Sequence, residues 1–206
     1  MHASPGNAPS AAATDDATLI ARSVAEPEIF AQLYDRYATD LHHYVQRRLG
    51  VGLADDVVGE IFLAAFRQRD RYDTARPHAR PWLYGIAANL ISNHRKTELR
   101  AYRALARTGQ DPVAESWSDR VDGQVTAEAF RGRLAAALRR LNDGDRHVLL
   151  LVAWADLSYD EVATALAIPL GTVRSRLNRA RKKMRAALGG TNPTLTTEAI
   201  EEISRG

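Results

Sequence analysis

Residues Leu157 to Leu188 read LSYDEVATALAIPLGTVRSRLNRARKKMRAAL, and the change of character along this stretch decides how the chain folds. Its first half mixes acids with apolar residues; from Leu170 onward it holds seven arginines and lysines and no acid. Ser158 followed by Glu161 has the spacing of a capping box, in which hydroxyl and carboxylate satisfy each other's exposed backbone amides and fix a helix start. The spacing predicts a helix from Ser158 to Ala167 that buries Val162, Ala163 and Leu166. Ala167, Ile168 and Pro169 then interrupt it, because proline disfavours helical geometry in the residue before it and suits the first turn of the helix after it. A second helix, Leu170 to Leu188, continues the buried stripe at Val173 and Leu177. Small Ala163 lets the two approach closely, as a helix-turn-helix requires, and the second helix of such a motif enters a DNA major groove. Its outer face is expected to carry Thr172, Arg174, Ser175, Arg176, Arg179 and Lys182. Arginine can pair two hydrogen bonds with a guanine edge, and serine or threonine can contact bases or phosphates. A lone basic run is more often a solvated helix face. Here it coincides with a cap, a three-residue turn and a well-placed proline, and DNA binding is the stronger reading.

Outward from this motif the pattern stays helical, with no strand-like alternation. Apolar residues from Glu28 to Leu49 (Ile29, Leu33, Tyr37, Leu41, Tyr44, Val45, Leu49) recur at helical spacing, and Gly50 to Gly52 stops them. Asp55 and Asp56 open the next helix, where negative charge suits the positive end of the backbone dipole. That helix buries Val57, Val58, Ile61, Phe62, Ala65 and Phe66. Asp73 to Pro81 reads as a loop, and a long helix runs from about Trp82 to Arg107. Thr108 to Thr126, with Gly, Pro, Ser and four acids (Asp111, Glu115, Asp119, Asp122) against Arg120, is net negative and reads as a flexible linker. Helices follow at about Ala127 to Leu141 and Asp143 to Ala155, with Asn142 to Asp145 as the break between them. The expected fold is all-α: two small helical domains, 15–107 and 127–188, joined by a flexible linker at 108–126, the C-terminal one containing the helix-turn-helix. Residues 1–14 are expected to form a disordered tail and 189–206 a C-terminal tail, with a short helix around Thr197 to Ile203.

A second basic and aromatic constellation surrounds the long helix. Arg76 and His78 lie in the loop before it; Trp82, Asn89, Asn93, Arg95 and Lys96 lie on it. Aromatic rings stack on unpaired bases, amides read base edges and cations hold the backbone, which together make a single-strand binding chemistry. Against this, Trp82 at a helix start reads first as a core anchor, and Asn89 as a partner for buried backbone groups.

Three blocks in order, DDVVGEIFLAAFRQRDRYD, RPWLYGIAANLISNHRK and LNDGDRHVLLLVAWADLSYDEVATALAIPLGTVRSRLNRARKKM, resemble the extracytoplasmic-function group of sigma-70 family sigma factors over roughly Ile29 to Leu188. The resemblance implies a first domain that binds the clamp of core RNA polymerase and melts the minus-ten promoter element. It implies a second that reads the minus-thirty-five element as duplex. By position, Asp55, Asp56, Glu60, Phe62 and Arg67 would dock on the beta-prime clamp. Arg76, His78, Trp82, Asn89, Asn93, Arg95 and Lys96 would meet the melted strand. Thr172, Arg174, Ser175, Arg176, Arg179 and Lys182 would read the duplex. The polymerase beta flap and an anti-sigma factor are further implied partners. Gly59, where a longer polar residue is common, Pro81, Asn93 in place of aspartate and Ala167 in place of a turn glycine depart from the usual pattern.

Composition narrows the alternatives. In 206 residues there is no cysteine, which excludes disulfides, thiolate metal sites and cysteine nucleophiles. The net charge, 28 − 25 = +3, is too modest to identify a nucleic-acid binder by itself, so the distribution of charge carries the inference. The six histidines fall in no paired-ligand spacing, and there is no phosphate loop or nucleophile elbow, so neither catalytic residues nor a metal or other cofactor are expected. Met1 to Thr14 carries no positively charged leader and no long apolar stretch, so a secretory signal is not expected; no apolar run is long enough for a membrane span, and the cytoplasm is the expected location. A stand-alone helix-turn-helix regulator would leave the long basic, aromatic helix unexplained. A small helical nuclease would need a carboxylate cluster that the sequence lacks.

Overall fold

The computed structural model describes residues 14–107 and 125–189, with side chains for 14–100 and 130–189. The expected tails and the central and greater part of the expected linker lie outside the described residues. So does the helix expected around Thr197 to Ile203. Among the described residues there are eight α-helices and no strand: α1 Asp16–Arg22, α2 Ala31–Leu49, α3 Ala54–Arg67, α4 Arg80–Arg107, α5 Val125–Arg139, α6 Asp143–Trp154, α7 Tyr159–Leu166 and α8 Leu170–Ala187. No helix among them is long and apolar enough to cross a membrane. The chain divides into two compact units, residues 1–87 and 88–206, with the division falling inside α4.

In the first unit α2 packs on α3, and α1 lies across the turns that flank them. Its core is drawn from the predicted stripes: Leu33, Leu41, Tyr44 and Val45 of α2, and Val57, Val58, Ile61 and Ala65 of α3, join Leu19 and Ile20 of α1. Leu83, Tyr84 and Ala87 bring in the start of α4, where Tyr84 meets Tyr44 edge to face at 5.2 Å. Asp15 caps α1, its carboxylate accepting the Thr18 N–H at 2.7 Å. Gly50 ends α2 at φ 90°, a left-handed backbone that residues with a Cβ rarely adopt.

Two details depart from the sequence reading. Residues 27–30 form a short 3-10 turn before α2, because Pro27 opens a turn of its own. Helix α4 begins at Arg80, so Pro81 belongs to its first turn; there the missing proline N–H has no intrahelical carbonyl to reach, and the fixed φ suits the helix. Gly59, in the middle of α3, faces open space: a Cβ built there meets nothing within 4 Å. Gly59→Ala is therefore expected to stabilise the protein by up to about 1 kcal/mol, seen as a raised thermal midpoint.

In the second unit α8 is the hub, packed on α5, α6 and α7. Ala180, Met184 and Leu188 meet Ala137 of α5 and Leu141, just beyond its end, in one apolar cluster. Val173 and Leu177 are buried on the same face of α8. The capping box at α7 is formed: Glu161 N–H donates to Ser158 Oγ at 3.3 Å, and Ser158 N–H donates back to the Glu161 carboxylate at 2.8 Å. The turn that follows places Ala167 at φ 50°, ψ 46°, in the left-handed region, with its N–H bonded back to the Thr164 carbonyl at 3.2 Å. An alanine adopts this geometry at a cost of about 1–2 kcal/mol, and the helix-turn-helix turn is kept without the usual glycine.

Candidate nucleic-acid interface

Helix α8 sorts its cations by their place around the axis. Opposite the buried stripe of Val173, Leu177, Ala180 and Met184, the exposed side chains are Arg174, Ser175, Asn178, Arg181, Lys182 and Arg185. At i, i+4, i+7, i+11 spacing, Arg174, Asn178, Arg181 and Arg185 form one row, with Ser175 and Lys182 beside it. The Ser175 hydroxyl donates to the Thr172 carbonyl at 3.0 Å, which leaves its lone pairs outward. Asn178 is the residue the sequence reading missed: a polar amide amid apolar and basic neighbours, central to the exposed face and able to pair bidentately with an adenine edge.

Arg179, expected as a duplex reader, has half of its side chain exposed, but its guanidinium is engaged within the protein. Its guanidinium turns to α6 and holds the Asp145 carboxylate bidentately, from Nε at 3.0 and 2.9 Å and from Nη2 at 2.7 Å. Lys183 Nζ stands 3.6 Å from the same carboxylate, whose side chain is fully buried. The Arg179 hydrogen bonds, helped by Lys183 and by Asn142 Nδ2 and opposed by burial, hold Asp145 below the ordinary carboxyl range. Arg179 is correspondingly pushed up. Arg176, on the same flank, is also drawn inward: its Nη1 lies 2.9 Å from where a Cβ on Gly144 would stand. Thr172, on that flank too, is half-buried. A buried charge needs a partner of opposite sign, and Asp145 takes the nearest arginine of the basic helix.

The loop before α4 and the first turns of α4 carry part of the second set of expected residues in the first unit, and the rest of α4 carries the others in the second unit. Around the helix axis Trp82, Ile86, Asn89, Asn93, Lys96 and Arg100 fall within about 40° of one line. Asn89, Asn93, Lys96 and Arg100 are exposed. Trp82 is half-buried, its ring tilted on that of Tyr72 at 4.9 Å, so it packs with one side while the rest reaches the surface only in part. Asn89 points outward and serves no buried backbone group. Arg95 lies across the helix from this line, half-buried, which removes it from the set. Arg76 and His78 are exposed on the loop. Burial pushes the Tyr72 phenol up to about 12, so it stays a hydrogen-bond donor beneath them.

On α3 the residues expected to dock a partner form an acidic strip. Asp55, Asp56, Glu60 and Arg67 are exposed, and Asp55 pairs with His42 Nε2 at 3.1 Å. Phe62 is corrected: it is 7% exposed, with its ring on that of Tyr34 at 4.8 Å, and acts in packing. Leu63, one position on, is the apolar residue that reaches the surface, at 49% exposed. Among the described residues no cluster of three His, Asp or Glu side chains could hold a metal ion.

Comparison with known proteins adds to this geometry. The family model for sigma-70 region 2 matches residues 33–101, and that for sigma-70 region 4 matches residues 131–184. The ECF RNA polymerase sigma factor SigL of Mycobacterium tuberculosis is 34% identical over 168 residues, which cover 81% of this chain and 92% of that protein. The RNA polymerase sigma factor HrpL of Pseudomonas syringae pv. syringae is 33% identical over 157 residues, 70% of this chain and 79% of HrpL. Among solved structures, CnrH in complex with the cytosolic domain of CnrY superposes with a TM-score of 0.59 at 28% identity, covering 84% of this chain and 97% of CnrH. The fold is shared also with RpoE of Bartonella quintana, solved with the anti-sigma factor NepR, at a TM-score of 0.57, 20% identity and coverage of 78% and 96%.

Proposed function

We propose, from the premise that this chain belongs to the ECF group of the sigma-70 family of RNA polymerase sigma factors, a division of its work in transcription initiation among three surfaces. Residues 127–188 read the minus-thirty-five element as duplex, through the outward row of α8. Residues 15–107 hold the melted minus-ten strand, through Arg76, His78, Trp82, Asn89, Asn93 and Lys96. The acidic strip of α3 docks on the clamp of core RNA polymerase, with residues 108–126 as the tether. The protein acts in the cytoplasm and is not itself an enzyme; bond formation belongs to the polymerase. An anti-sigma factor is a further partner, a reading supported by the complexes of CnrH with CnrY and of RpoE with NepR.

The observation that carries this reading is the exposed line of Asn89, Asn93 and Lys96 on α4, which a regulator that binds only duplex has no use for. Transcription with purified core polymerase tests it: promoter-specific start sites are expected only when this chain is added. Starts at the same places without it would defeat the proposal. For the docking strip, Glu60→Lys is expected to weaken association with core polymerase by at least about tenfold, since like charges set against each other across an interface oppose binding. Binding of the variant to duplex DNA, measured alone, should stay unchanged.

A further inference from the structure

The loop before α4 takes its shape from groups outside its tip. Asp16, on α1 and 3% exposed, accepts hydrogen bonds from Arg36 Nη1 at 2.7 Å, from the Tyr37 hydroxyl and from the backbone N–H of Ala79 at 2.8 Å. Arg36 and Tyr37 belong to α2, whereas Ala79 is the last residue before α4. One carboxylate thus ties α1 and α2 to the end of the loop. At the other end the Tyr72 hydroxyl donates to the Arg76 carbonyl at 2.8 Å, with the His78 carbonyl at 3.1 Å as second acceptor. Asp73 closes the tip, accepting the Ala75 N–H and Arg76 Nε, each at 3.1 Å.

Burying a carboxylate costs several kcal/mol before its partners compensate, so for stability alone an apolar residue would often serve as well. What Asp16 adds is direction, because its oxygen fixes one backbone N–H at the junction of loop and helix. Asp16 also precedes the residues that match the region 2 model, which begin at 33. We infer that Asp16 and Tyr72 are positioning residues for strand opening: they hold residues 73–79 so that Arg76, His78 and Trp82 present together to an unpaired promoter strand. The inference rests on the proposed role of that loop.

The test uses holoenzyme reconstituted with Asp16→Asn or Tyr72→Phe and a single-stranded oligonucleotide carrying the minus-ten sequence of a promoter whose start site has been mapped. Tyr72→Phe keeps the ring on Trp82 and loses only the hydroxyl, so it stands as the probe should Asp16→Asn fold poorly. Both are expected to bind the oligonucleotide about tenfold more weakly, while core association and minus-thirty-five duplex binding stay within about twofold of the parent. On a promoter unpaired in advance at the minus-ten stretch the deficit should persist, because it lies in gripping the strand. Tyr72→Phe binding the strand at parental level overturns the assignment. Trp82→Ala and Arg76→Ala separate the two layers. If they lose strand binding and the positioning variants do not, only this inference falls; if they too bind as the parent does, the role of the loop falls with it.

Discussion

Replacing Arg174 and Lys182 together by alanine is expected to lower affinity for the promoter duplex by about a hundredfold and to take about 2 off the slope of log affinity against log salt. Both side chains are exposed on the outward face of α8 and neither meets an acid among the described residues, so the fold should be untouched. Each phosphate contact releases counterions worth about 0.9 in the slope, and a lost base contact costs about 1–3 kcal/mol, where 1.4 kcal/mol is tenfold. A salt titration of duplex binding separates the parts: a fall in slope marks phosphate contacts, and a loss of affinity without one marks base reading. Arg179→Ala is the contrasting case. Its guanidinium is committed to Asp145, so it should lower the thermal midpoint and leave the salt slope of the remaining folded protein nearly as it was. Parental affinity and slope in the Arg174 and Lys182 variant would remove the outward row from DNA recognition.

The two arginines show where sequence reading stops. Ser158 and Glu161, Pro169, and the recurrence of Val173 and Leu177 are local signals, each set by neighbours within a helical turn or two, and the motif they define is present as read. Gly50 and the Asp15 cap are legible for the same reason. The direction of a long cation is not local. Arg174 and Arg179 have the same chemistry and sit in the same basic run. They part because five positions turn them about 140° apart around the axis, and a buried acid 34 residues before Arg179 lies against its flank. Asp16 and Ala79, 63 residues apart, are likewise joined by packing that no period encodes. Trp82 falls between the two readings its position allows: its ring packs on that of Tyr72 and it is only half-buried. Phe62 and Leu63 are neighbours of like polarity, and the helix phase alone decides that the first is buried and the second reaches the surface.

Asp145→Asn is expected to lower the thermal midpoint of the α5 to α8 unit by roughly 10 °C at neutral pH, a large effect for so small a helical unit. The asparagine keeps the shape but removes the charge, and its amide nitrogen sets donors against the Arg179 guanidinium where two oxygens accepted. The pH dependence checks the cause. Asp145 has its folded pKa depressed below the ordinary 3.8 by the Arg179 hydrogen bonds. Its contribution is therefore full above that ordinary value and is lost as pH falls from there through the lower folded value. Thermal melts from pH 7 down to about pH 2 should show parent and variant well apart at neutral pH and converging at the acid end, because a protonated Asp145 is as poor a partner for Arg179 as asparagine is. The same pair sets the attitude of α8, since α6 is joined through Asp145 to the flank that adjoins the outward row. Loss of the pair should then lower duplex affinity through the population of well-formed α8, with the salt slope of the folded fraction preserved, which is the reverse of the pattern expected for Arg174 and Lys182. Melting curves that stay parallel down to the acid end would show that the carboxylate charge does not hold this unit together.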